Sequence, residues 1–216
     1  MNDGNKALQL VNLIVDSAID GLPRFKSSGE LANDYLEDAS YSSNDARVSS
    51  LINWEASKNF STGFITGLGG LMTLPASVPS SILASWVIQA RLAGAIAAIY
   101  GHDLHGDTVR TLVVASLLGD AFKEVLKESG VRYTIMYTSR AIMSIPNTLL
   151  LSINQKVGFI LLSKFGNQGL INLFRFIPVA GGVFAGTLDA SACKAVGLTA
   201  KSLFRRKSLL ENLHLS

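Results

Sequence analysis

Residues 60–101 read FSTGFITGLGGLMTLPASVPSSILASWVIQARLAGAIAAIYG. Gly63 and Gly67 stand in small-xxx-small spacing and Gly67 and Gly70 in small-xx-small, with Gly69 between them. In a strand protein such glycines would mark turns. Here Phe64, Ile65, Leu68, Leu71 and Met72 surround them without β-alternation, so a closely packed helix ending near Gly69–Gly70 is expected. Glycine lets two helix backbones approach each other, a device common where helices meet in membranes. Pro75 and Pro79 suit the first turn of a following helix. That helix is predicted from about Ser80 to Tyr100, stopping at Gly101. At 19 residues, the segment 82–100 has nearly the length of a bilayer span, but Gln89 and Arg91 lie at its centre. A central arginine costs roughly 2.5–3.5 kcal/mol on insertion scales, which favours a buried or membrane-edge helix over a plain span.

Working outward, residues 5–22 place Leu8, Val11, Ile14, Val15, Ala18 and Ile19 on one face of an amphipathic helix that Gly21 and Pro23 end. Residues 24–46 are polar (SSGE, LEDASYSSND) and read as a connector with one helical turn. Periodicity resumes near Arg47 with Val48, Leu51, Ile52 and Trp54. On the C-terminal side, residues 107–128 read as two helical pieces kinked at Gly119. Residues 131–145 form another run broken at Pro146, and a further helix continues to Gly166. Pro178 opens the last long helix, which holds Gly181, Gly182 and Gly186 together with Ala185, Ala190 and Ala192. Strand signals are scarce throughout.

The expected class is all-α: a compact multi-helix bundle with two glycine-rich helical hairpins, at 60–100 and 176–198. The expected organisation is an N-terminal helix and connector over 1–46, a helical domain over 47–208 and a tail over 209–216.

Charged residues make up 16% of the 216, below the usual quarter, while hydrophobic residues at 48% are ordinary. The mean hydropathy is +0.33. This balance falls between a soluble bundle and an integral membrane protein. The net charge of +3 is too small a basic excess to point to nucleic acid. Its placement is more informative, because Lys201, Arg205, Arg206 and Lys207 cluster near the C-terminus. They read either as a membrane-surface patch for anionic headgroups or as a solvated helix end complementing the dipole. The single Cys193 leaves no internal disulfide and fits a reducing compartment. No apolar leader of signal-peptide type is visible at the N-terminus. A cytoplasmic chain, peripheral to the inner face of the cell membrane, is therefore expected.

At this point the residues resemble a known family. TGFITGLGGLMTLPASVPSS (62–81) followed by QARLAGAIAAIYGHDL (89–104) is similar to the central signature of EcsC-family proteins. GFILLSKFG (158–166), LFRFIPVAGGVFAGTLDA (173–190) and AVGLTAKSLF (195–204) resemble their C-terminal signature. Together these span roughly residues 55–205. The family is named after a bacterial protein encoded beside an ABC transporter, and its members are described as transport or secretion accessories. The resemblance thus implies a helical fold and a transporter or membrane-protein partner. It implies no catalytic residue and no cofactor.

His102, Asp103, His105 and Asp107 offer zinc-type ligands in one loop. Short loops seldom wrap four ligands around one ion, so turn formation is the stronger reading, with Asp107 at an N-cap position. The family pattern there is Gly-aromatic-Asp, and His102 takes the aromatic position, as a packing residue. Arg91 and Asp189 each lie inside an apolar, small-residue helix, and a charge buried alone is costly. They are expected to find partners, each other among them, either as a buried ion pair or as a polar point orienting an amphiphile. No GxSxG elbow, HExxH or phosphate loop is present. Cys193 and Lys194 are helix neighbours that do not face each other. Three functions remain: a non-catalytic membrane-associated or lipid-binding accessory, a membrane-disrupting effector, and a soluble protein-interaction module.

Overall fold

The helix Ser80–Ile99 is apolar on every side, and a helix of that kind must be covered all round. In the computed structural model, which describes residues 3–57, 80–129, 145–165 and 183–205, it is covered. Among those residues are eight α-helices: α1 (Asp3–Ile19), α2 (Ser28–Leu36), α3 (Asn44–Ser57), α4 (Ser80–Ile99), α5 (Asp107–Ala115), α6 (Phe122–Glu128), α7 (Asn147–Phe165) and α8 (Val183–Phe204). A 3₁₀ segment, Ser116–Ala121, joins α5 to α6. The described residues contain no strand, only an isolated bridge between Leu22 and Phe25. The expected all-helical bundle is what the described residues form.

Central α4 touches α1, α2, α3, α5 and α8. Leu83, Val87, Ala90, Leu92, Ala93, Ile96 and Ala97 are all sealed from solvent. Ile82–Ile99 is long and apolar enough to cross a membrane, and 83% of it is buried inside the protein. The helix ends at Gly101, whose φ of 79° permits the turn. Gly119 (φ 56°, ψ −131°) makes the expected kink after α5.

The polar stretch after α1 differs from expectation. Instead of a connector with one turn, it holds α2, nine residues long. Ser27 and Glu30 form a capping box: Ser27 Oγ accepts from the Glu30 amide at 3.1 Å, and Glu30 Oε2 accepts from the Ser27 amide at 2.7 Å. Leu31 and Ala32 are buried, and Ser28 Oγ donates to the carbonyls of Ala18 (2.8 Å) and Arg91 (3.2 Å). The Ser-Ser-Gly-Glu sequence already carried the capping signal. Its polarity masked it, because the face that docks α2 is narrow.

Close helix packing through small residues is present, at glycines other than those singled out above. A Cβ on Gly94 would lie 2.8 Å from Ser28 Cβ, on Gly158 2.8 Å from the Ala7 carbonyl carbon, and on Gly197 2.8 Å from Ile52 Cγ1. These three positions bring α2 to α4, α1 to α7 and α3 to α8. Gly63, Gly67, Gly70, Gly181 and Gly182 lie outside the described residues, as do Pro75, Pro79, Pro178 and the run 131–144. Gly186 falls within α8, in the part whose side-chain surroundings are not described.

Candidate functional site

Arg91 sits midway along α4 because the helix periodicity leaves it no exposed face. Its Nη2 lies 3.0 Å from Glu55 Oε2 on α3. The two side chains are 11% and 2% exposed. The guanidinium also lies over the Phe25 ring, 4.0 Å from its centre, a cation–π contact supplied by the tight turn before α2. Burial pushes the Arg91 pKa down and Glu55 draws it back up. An arginine stays charged all the same. Glu55 has a second effect. Burial first, and then the negative charge of Glu55, push the Tyr35 hydroxyl up to about 12.

The counter-charge that Arg91 needs is thus Glu55. The side chain of Asp189, the partner weighed from sequence, lies outside the described residues. Glu55 was overlooked because in α3, NDARVSSLINWEAS, it resembles any solvent-facing glutamate. The pair ties α3 to α4, and both members are too enclosed to meet a ligand.

Two of the C-terminal basic residues also turn toward α3. Arg205 Nη2 is 2.6 Å from Asp45 Oδ2, and Lys201 Nζ donates to Ser49 Oγ at 2.8 Å. Asp45 accepts as well from the Tyr100 hydroxyl at 2.6 Å. Arg206 and Lys207 lie outside the described residues.

In the loop before α5, His102 Nε2 sits 2.8 Å from the Phe204 carbonyl and its ring packs on the Phe204 ring, as a packing residue would. Asp103 Oδ1 accepts from the His105 amide at 3.0 Å, closing a turn. The N-cap of α5 is Gly106 and Asp107 is the first helical residue, so the helix begins one residue earlier than expected. Among the described residues, no three His, Cys, Asp or Glu side chains come together to hold a metal.

Two features that sequence reasoning missed face outward. The first is a cleft of about 220 Å³ between α1, α5 and α7. Its polar lining is Asn12, Asp107, Arg110, Thr111, Asn147 and Asn154. Arg110 pairs there with Asp16. The second is the outer face of α7, where Leu151 is 50% and Phe159 60% exposed. Among the side chains described past its first turn, the other exposed ones are Gln155 and Ser163, so the described stripe is uncharged. The whole helix holds Lys156 and Lys164 and no acidic residue. Leu151 and Phe159 stand at spacing i, i+8 with Gln155 between them, and in sequence they look like core residues.

The model of the EcsC protein family matches residues 25–209. This chain belongs to the EcsC family. The EcsC match takes in α2, which had been assigned to a connector. Neither a curated protein nor a solved structure matches the chain.

Proposed function

We propose that this EcsC-family protein is a non-catalytic, membrane-associated helical protein that meets the lipid surface with α7, as an accessory to a transport or envelope process. The observation that carries this reading is the uncharged outer stripe of α7, with Leu151 and Phe159 half exposed or more on a helix bearing only lysines as charges. Leu151 and Phe159 offer apolar area for the headgroup boundary, and the uncharged Gln155 and Ser163 between and beyond them do not oppose its burial there. The low overall charge and the EcsC membership support it. In this reading the protein lies on the cytoplasmic side, beside a transporter or other membrane-protein partner.

The test is flotation with vesicles of phosphatidylcholine and phosphatidylglycerol. The wild-type chain is expected to float, and Leu151→Ser with Phe159→Ser to remain at the bottom while keeping its helical circular dichroism. Lys201→Ala with Arg205→Ala is expected to float like wild type, since those cations are engaged with α3. A wild-type chain that never floats would instead mark a soluble interaction module.

A second reading, the membrane-disrupting effector, draws on one observation: Ile82–Ile99 has the length and apolarity of a span. Release of a trapped dye from the same vesicles would select it. Binding without release selects the peripheral accessory.

A further inference from the structure

We propose that the cleft between α1, α5 and α7 binds a neutral polyhydroxylated group of the sugar or glycerol type. The argument starts from charge. Arg110 is paired with Asp16, and Asp107 brings a further carboxylate to the lining. An anion would meet that carboxylate, and a cation would meet Arg110, so neither sign is favoured. What remains are amides and a hydroxyl. Asn12 and Asn147 stand exposed at the rim, while Thr111 is buried within. Such groups both donate and accept, which is the pattern that vicinal hydroxyls present in return.

Asn154 adds the feature that asks for a ligand. Its Nδ2 donates to Thr111 Oγ1 at 3.1 Å, and its Oδ1 is buried with no hydrogen-bond partner among the described residues. Turning the amide over leaves the other end in the same position, because Thr111 can serve only one of them. A buried polar atom in a native fold calls for an explanation, and a hydroxyl can both donate to an amide oxygen and accept from an amide nitrogen. The apolar walls, Val11, Val15, Leu150 and Leu151, match the C–H faces of a sugar ring or the first carbons of a glycerol chain. The volume, about 220 Å³, falls below the roughly 300–1,000 Å³ of drug-sized sites and suits a single ring or headgroup. Leu151 belongs both to this lining and to the outer stripe of α7, so a glycolipid headgroup could enter from a membrane at the same edge.

The experiment uses the full chain and saturation-transfer NMR with methyl glucoside, methyl galactoside, glycerol and myo-inositol. Transfer to at least one probe is expected. Asn154→Leu removes the amide, its bond to Thr111 included, and is expected to weaken that binding about tenfold, the loss of one hydrogen bond, while the helical circular dichroism is retained. Asn12→Ala, at the exposed rim, is expected to weaken it by a smaller factor without touching the core. Flotation with phosphatidylcholine vesicles, with and without glucosyl-diacylglycerol, separates the sources. Preference for the glycolipid assigns a lipid headgroup, and its absence beside positive transfer assigns a free polyol. Transfer to none of the four probes, or transfer that both variants leave intact, overturns the proposal. Stronger binding of inorganic phosphate than of any polyol also overturns it. The free-probe arm contains no membrane, so failure of α7 to bind vesicles leaves its outcome independent.

Discussion

Arg91 on α4 and Glu55 on α3, 36 residues apart, meet at 3.0 Å in the interior, with the Phe25 ring stacked on the guanidinium. The pair is enclosed, so Arg91 draws on Glu55 for its counter-charge. Removing one partner leaves a buried charge uncompensated, which costs about 3–5 kcal/mol, whereas replacing both with apolar groups of similar volume is often neutral. Glu55→Ala and Arg91→Ala are therefore each expected to lower the urea midpoint strongly. The double variant Glu55→Leu, Arg91→Met should recover most of the loss. Equal midpoints for single and double variants would show that the charges are not coupled.

The contact between α1 and α7 depends on the absence of one methyl group. A Cβ on Gly158 would meet the Ala7 backbone, which cannot swing aside as a flexible side chain can. Alanine favours an exposed helix over glycine by about 1 kcal/mol. Overpacking of about 1–3 kcal/mol is expected to outweigh that at Gly158. Gly4→Ala, where no atom lies within 4 Å of the added carbon, should be neutral or slightly stabilising. Thermal melts of the two variants check the contrast, and a stabilising Gly158→Ala would contradict the close approach.

Alkaline stability should report on Tyr35. Its folded pKa is raised from 10.0 to about 12, by burial first and Glu55 second, so above pH 10 the folded state holds a proton that the unfolded state gives up. The resulting stability is fully present below the unfolded value and is lost as pH rises through the folded one. A steeper fall in melting temperature between pH 10 and about 12 is expected for wild type than for Tyr35→Phe. Parallel curves would remove Tyr35 from the account.

Sequence by itself determined the described helices other than α2. Hydrophobic periodicity, Gly21, Gly101 and Gly119 located α1, α4 and the kink after α5, because a helix closes its hydrogen bonds four residues away and its ends are written locally. It also established that Arg91 would need a counter-charge, since burial on an apolar helix follows from composition alone. Only the tertiary structure decided who supplies it. Glu55 is distant along the chain and sits in a polar-looking helix, and nothing local marks it as buried. The same holds for α2, whose capping box was readable but whose docking rests on Ser28 fitting against Gly94. It holds as well for Leu151 and Phe159, which share the composition of core residues and face outward because α1 and α5 cover the opposite side of α7. Local pattern specifies which segments are helical. Which faces meet depends on how the whole set packs around α4.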